Sequence, residues 1–276
     1  MGKAKRQSAA KAAAANNKSA TRPSGPSRKL KSSMLSEKRK TIAIQGSVAA
    51  LVIAVFAAVV VFITQSNEIT SLDDLSAEQI PAASTANGFL MYGDAGAPAR
   101  VDLYKDFGCP YCSDFSQGVE PDLIELAEQG EVAVYFFPVA YLDYAFPGGK
   151  YSSRAANAFA TVADREPEYM VAFKEVLFNN QPEEGTSGLS DDELRDLAIS
   201  VGVSEETADM FTDNLFSDWV YGVSDKASQD GISVIPTILV NGDYFTGNWY
   251  DVMKEDGTVG LSAGELIADI RGEELS

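Results

Sequence analysis

The chain contains no histidine and only two cysteines in 276 residues. Without histidine, a Ser-His-Asp or Cys-His hydrolase is excluded. A zinc site closed within the chain is excluded as well, because it needs four nitrogen or sulfur ligands and two cysteines supply half of them. The two thiols stand at Cys109 and Cys112, in the run Cys109-Pro110-Tyr111-Cys112. Three readings of such a pair are open: a redox couple, half of a metal site shared with another chain, or a structural disulfide. The last closes so short a loop that it removes little entropy from the unfolded chain and adds little stability. Redox chemistry needs only the two sulfurs.

Positive charge is also scarce, and unevenly placed. Of 22 Lys/Arg, 12 fall in residues 1–40, beside one acid, Glu37; the other 10 share residues 41–276 with 39 Asp/Glu. A basic tail before an acidic body fits nucleic-acid binding or membrane topology, and the next segment favours topology. Ile42 to Ile63 carries no charge, and Gln45 and Ser47 are its only polar side chains. At about 1.5 Å per residue its span is roughly 33 Å, close to the hydrocarbon thickness of a bilayer. Lys38-Arg39-Lys40 precede it and Glu68, Asp73 and Asp74 follow. Lys and Arg stay on the cytoplasmic side, which puts the N-terminus inside and the rest of the chain outside. A cleaved signal peptide is the competing reading. Against it, the run exceeds the usual 7–15 or so residues, and no A-x-A site lies just past Ile63. The expectation is a single-pass signal-anchor in the cell membrane, with an extracytoplasmic catalytic domain and a solvated cytoplasmic tail that needs no nucleic acid. The acidic body keeps such a domain soluble and repels acidic substrates.

Periodicity supplies the elements. Val101 to Tyr104 alternates as a strand. After the cysteines, Phe115, Val119, Leu123, Leu126 and Ala127 recur at helical spacing, with Gly130 as the stop. The pair therefore sits where a strand meets a helix, with Cys109 at the helix start. Free N–H groups and the dipole there favour an anion, and thiol pKa values in such motifs fall from about 8.5 to between roughly 3.5 and 7. Cys109 is expected to be the exposed, attacked sulfur and Cys112 the buried, resolving one. Pro110 suits the first helical turn.

Further on, Val132 to Phe137 is a near-continuous apolar run, as for a strand buried on both faces, ended by Pro138. Residues 150–231 are helical in pattern. Ala155, Ala156, Phe159 and Ala160 fit one helix; Met170, Phe173, Val176 and Leu177 fit a second. Ser190-Asp191-Asp192-Glu193 is a capping box opening a third. Ser204 caps a fourth, and Asp218 to Asp230 is the last, closed by Gly231. Ile238 to Val240 and Asp243 to Thr246 form a hairpin around Asn241-Gly242. Leu261 to Ile270 is a final amphipathic helix. This is an α/β plan with a helical insertion.

In Asp106-Phe107-Gly108-Cys109-Pro110-Tyr111-Cys112, Phe137-Pro138, Ala155-Ala156, Leu177-Phe178-Asn179-Asn180-Gln181, and Ile235-Pro236-Thr237 with Val240-Asn241-Gly242, the chain resembles the DsbA-like branch of the thioredoxin superfamily, in its membrane-anchored Gram-positive and actinobacterial form. The resemblance covers roughly residues 88–276. It implies a thioredoxin-like fold after one N-terminal transmembrane helix: a basic tail (1–40), a membrane helix (41–64), a linker (65–87), a thioredoxin-like domain (88–149 and 232–276) and a helical insertion (150–231). It implies a protein disulfide oxidoreductase with catalytic Cys109 and Cys112, supported by Pro110, Tyr111, Ile235 and Pro236. The Ile235–Pro236 bond is then cis, with Ile235 offering backbone groups to a substrate strand. No cofactor or metal is called for. The implied partners are exported proteins with free thiols and a membrane quinone-linked reoxidant. A reductase or isomerase of the same fold, and a tethered Cu(I) metallochaperone, are the alternatives. Tyr111 and Tyr141 are candidates to line the cleft.

The chain departs from the resemblance in three places. Relatives commonly carry a buried acid six residues before the first cysteine, where this chain has Leu103; Asp102 lies one residue earlier, on the opposite strand face. Ile235 replaces the frequent Thr or Val, and Pro110-Tyr111 lacks the histidine of the most oxidising members. The reduction potential is thus bounded only by the family range, roughly −270 to −120 mV.

Overall fold

The structure, a computed structural model, describes residues 71–84, 88–250, 252–253 and 259–273. The basic tail and the 41–64 span expected from the sequence lie outside the described residues. Among the described residues no helix is long and apolar enough to cross a membrane.

Five strands carry the site: β1 (Leu90–Tyr92), β2 (Ala99–Lys105), β3 (Val132–Pro138), β4 (Thr237–Val240) and β5 (Asp243–Tyr244), ordered β1-β3-β2-β4-β5 in one sheet. β2 and β3 run parallel, Val101 opposite Val134 and Leu103 opposite Phe136. The other pairs are antiparallel. On β2 the alternation divides the chemistry. Val101 and Leu103 point into the core, while Arg100 pairs with Asp102 at 2.6 Å and lies 4.1 Å from the Tyr135 ring. Lys105 ends the strand, buried like Val101 and Leu103.

A parallel pair needs a crossover, here α1 (Pro110–Gly118) and α2 (Glu120–Glu128). The spacing predicts one helix through this segment; the structure has two. Pro121 in the first turn of α2 has no N–H to donate back into α1, and Val119 adopts φ −126°, ψ −45° between them. The apolar positions survive the break, since Phe115, Val119, Leu123, Leu126 and Ala127 are all buried. β3 is buried at every position except the half-buried Tyr135, and it includes Pro138 instead of ending before it.

Between β3 and β4 come α3 (Tyr151–Arg165), α4 (Met170–Asn179), α5 (Asp191–Ser200), α6 (Glu205–Asp209) and α7 (Ser217–Gln229). Alanines at 155, 156, 158, 160 and 163 bury almost the whole of α3 among its neighbours. Its buried Asn157 donates to the Phe211 carbonyl and accepts the Phe216 N–H, both at 3.0 Å. The capping box at Ser190 and Glu193 is formed, and the Ser204 hydroxyl caps α6. Asn241 and Gly242 both take positive φ (53° and 92°) in the β4–β5 turn, the conformation that favours Asn-Gly there. A short hairpin, β6 (Val252–Met253) and β7 (Val259–Gly260), precedes α8 (Gly264–Arg271), which starts three residues later than the pattern predicts. Residues 71–84 form two short 3-10 turns whose Leu72, Leu75 and Ile80 pack on the core.

Candidate active site

Cys109 is the N-cap of α1, in extended backbone conformation (φ −88°, ψ 119°), and Pro110 follows at the first helical position. Cys112 is fully buried one turn in, and both cysteines are free thiols. The expected exposure of Cys109 is not found: the residue is 4% exposed. Its thiol is turned onto the Ile235 carbonyl, 3.7 Å away, on the loop entering β4. The Ile235–Pro236 bond is cis. Pro110 and Tyr111 are exposed and Pro236 half-buried, so the solvent side of the site is made by these residues.

The two thiols are electrostatically unlike. Cys109 is held below the ordinary thiol range, first by a hydrogen bond from the Cys112 side chain, against burial, and then by the backbone N–H groups of Cys112 and Tyr111. These N–H groups belong to the helix start. Burial pushes Cys112 well above its usual value, and the facing Cys109 adds to the rise.

The turn between β2 and α1 is clamped from three sides. Asp106 is fully buried; its carboxylate accepts the Gly108 N–H at 2.7 Å and the Leu142 N–H at 2.9 Å. Burial raises it to about 6 despite those bonds. Gln181, just beyond α4, donates to the carbonyls of Phe107 (2.7 Å) and Cys109 (3.0 Å). Gly108 faces the Phe146 ring so closely that a Cβ would sit 2.4 Å from it. Tyr141 is half-buried, and its hydroxyl donates to the Ile232 carbonyl at 2.8 Å and so holds the chain leading to Ile235.

Several of these residues escape sequence reasoning. Asp106 and Gln181 stand in the stretches that carry the resemblance, but their partners are distant in sequence. Trp249 and Tyr250 join Tyr111 and Phe115 in an edge-to-face series, Tyr111–Tyr250 at 5.8 Å, Tyr250–Trp249 at 5.5 Å and Trp249–Phe115 at 5.2 Å. The adjacent aromatics after the hairpin were the signal available. A buried Lys105–Glu120–Lys174 cluster also lies in this half of the molecule; no periodicity announces it. Among the described residues no group of three or more His, Cys, Asp or Glu is placed to hold a metal ion.

A reduced-thiol pair at a helix start, on a mixed sheet with a helical insertion, defines a thioredoxin-like protein. The thioredoxin family matches residues 85–254, and the chain belongs to that family. Disulfide bond formation protein D of Bacillus subtilis (strain 168) is 29% identical over 183 residues, 64% of this chain and 79% of that protein. The crystal structure of reduced DsbA from Mycobacterium tuberculosis superposes with a TM-score of 0.55 at 26% identity, covering 67% of this chain and 91% of that one. Serine/threonine-protein kinase PknE of Mycobacterium tuberculosis (strain ATCC 25618 / H37Rv) is 29% identical over 126 residues, 44% of this chain; the match spans only 22% of the kinase's length.

Proposed function

We propose that this protein is a membrane-anchored thiol–disulfide oxidoreductase that introduces disulfides into exported proteins, with Cys109 and Cys112 as its redox pair. One observation carries the reading: Cys109, its thiol stabilised toward the anion at a helix start, lies against the Ile235 carbonyl with Cys112 buried behind it. The name of the Bacillus relative points the same way.

In the reaction, a substrate thiolate attacks Sγ of Cys109 in the Cys109–Cys112 disulfide. The S–S bond breaks and its electron pair leaves on Cys112, giving a mixed disulfide. A second substrate thiolate then attacks the substrate sulfur, and Cys109 leaves as a thiolate. The substrate is oxidised by two electrons and the protein reduced. A leaving thiolate held below the usual range makes the disulfide more oxidising. Ile235 presents its carbonyl where a substrate strand can pair, and Tyr111 with Tyr250 gives the approach an apolar rim. The uncharged run at 42–63 supports the anchor, the flanking charges support a domain outside the cytoplasm, and a membrane quinone-linked reoxidant would complete the cycle.

The test is the reduction potential of the full chain in detergent against a glutathione series, with Cys112→Ser to hold mixed disulfides. A value near about −120 mV supports an oxidase and one near about −270 mV a reductase. A protein with no reversible two-electron couple, or a Cys112→Ser variant that traps no thiol partner through Cys109, would sink the reading.

A further inference from the structure

α1 and α4 lie side by side in opposite directions, and their contacts set the register. At the active-site end Gln181, just beyond α4, donates to the Cys109 carbonyl at 3.0 Å. One turn further along α1, the Ser113 hydroxyl donates to the Phe178 carbonyl at 3.1 Å. Beyond that, Ser116 and Gln117 face Glu175 and Asn179 across a groove of about 440 Å³, which Pro121 at the start of α2 also lines. Ser116 is two helical turns from Cys109, about 10 Å along the axis and on nearly the same side of it.

The lining of this groove has one charge, the exposed Glu175 carboxylate, and no cation. Ser116 is only 4% exposed, and among the described residues its hydroxyl has no hydrogen-bond partner. A buried hydroxyl left unpaired is costly, and in a groove wall it marks where a ligand atom completes the pairing. Gln117 supplies the sign of that ligand. Its Nε2 donates to Oγ of Ser113 at 2.9 Å. The hydroxyl hydrogen of Ser113 is already directed at Phe178, so its oxygen can only accept, and the Gln117 amide must turn its nitrogen inward. Its carbonyl oxygen is then left for the groove. Carboxylate, amide oxygen and hydroxyl oxygen are all acceptors. A guanidinium matches them, being planar, permanently charged and equipped with five N–H donors and no acceptor. An ammonium offers three donors from a single point and holds its water more strongly.

We propose that the groove between α1 and α4 is a specificity subsite for the thiol substrate: it takes the guanidinium of a substrate arginine, held by Glu175, the Gln117 carbonyl oxygen and the Ser116 hydroxyl. The inference rests on the redox reading of Cys109 and Cys112. An extended substrate rises about 3.3 Å per residue, so the arginine stands about three residues from the cysteine that attacks Cys109. Residues 41–276, with 39 acids against 10 bases, draw basic segments toward the domain at long range. The groove then selects among those segments by the position of one arginine, and the exchange chemistry at the sulfurs is unchanged.

The test uses the full chain in detergent with Cys112→Ser and a nitrothiobenzoate group in disulfide linkage to Cys109. A single-cysteine peptide thiolate attacks Sγ of Cys109, and the coloured nitrothiobenzoate thiolate leaves, so its release gives the rate. Peptides of one composition carry an arginine either about three residues from the cysteine or about ten away, out of reach of the groove. Two further peptides carry citrulline or lysine at the near position. We expect the near-arginine peptide to react at least about fivefold faster than the far-arginine one, somewhat less than a fully buried charged hydrogen bond commands. That ratio should fall to within about twofold of unity in Glu175→Gln and should also shrink in Ser116→Ala. Equal rates for near and far arginine leave only long-range attraction and overturn the proposal. So does a ratio that survives in both groove variants, or a near lysine as effective as a near arginine. If the citrulline peptide displaces no nitrothiobenzoate, Cys109 does not exchange and the redox reading itself fails, which is recognised before any groove variant is made.

Discussion

Asp106 lies three residues from Cys109 and is fully buried, its carboxylate bound to two backbone N–H groups. Burial raises its pKa from 3.8 to about 6. A raised carboxyl binds more protons folded than unfolded, so the stability it contributes is complete below about pH 3.8 and is lost as pH rises through about 6. The difference amounts to about 3 kcal/mol. Asp106→Asn removes that titration while keeping an acceptor. Urea unfolding should therefore show the variant more destabilised, relative to wild type, at about pH 4 than at pH 7. A pH-independent difference would mean that Asp106 titrates alike in both states. Glu120 works in the opposite sense. Held at about 2, it contributes stability above its unfolded value of 4.5 that disappears only as pH falls through about 2. At this scale the sequence showed the two cysteines and little of what surrounds them, because Gln181 and Ile235 reach Cys109 from 72 and 126 residues away, and Leu142 reaches Asp106 from 36.

At the scale of elements, the join of β2 to α1 is built on close approach. Gly108 leaves no room for a side chain, with a Cβ only 2.4 Å from the Phe146 ring and 2.9 Å from the Ser152 hydroxyl. Phe146 and Ser152 are themselves fully buried, so neither can swing away. Gly108→Ala should cost about 1–3 kcal/mol, the usual penalty for overpacking, read as a lower denaturation midpoint at unchanged m-value. Most of the helices in the 150–231 block were legible because their buried faces repeat every 3.6 residues and their starts carry Ser190 and Ser204. The break at Val119 was less legible. Pro121 was visible in the sequence, but a proline in a first helical turn and a proline that divides one helix from another look alike until the preceding backbone is known.

For the whole molecule, charge is the dominant surface property. Residues 41–276 carry 39 acidic and 10 basic side chains, enough to steer charged partners by an ionic-strength-dependent field. Oxidation of a basic dithiol peptide should slow by at least about threefold between low and high salt, and an acidic one should speed up. Stopped-flow rates that respond to salt equally for both peptides would show that steering plays no part. The anchor makes a second demand at this scale. The described residues all fall within one unit, Ile69–Ser276, so a chain lacking residues 1–64 should leave the membrane fraction and keep its redox couple. Recovery of that shortened chain with membranes would contradict an anchor at 42–63.

Local pattern was sufficient for the strands β2 and β3, the hairpin at Asn241-Gly242, the helical block and the Cys109–Cys112 junction. Each is set by side-chain period, turn chemistry or capping over a few consecutive residues. The burial of Cys109 under the Ile235 carbonyl, the Asp106 clamp and the sharing of Glu120 between Lys105 and Lys174 belong to the packed fold alone. They depend on which surfaces meet when α1, α2, α4 and the β4 approach close on β2, and no short window of sequence records distances between residues that far apart. Lys105 shows the difference most plainly. Along the strand it breaks an apolar alternation; in the fold, the same residue pairs with Glu120, whose other carboxylate oxygen Lys174 holds.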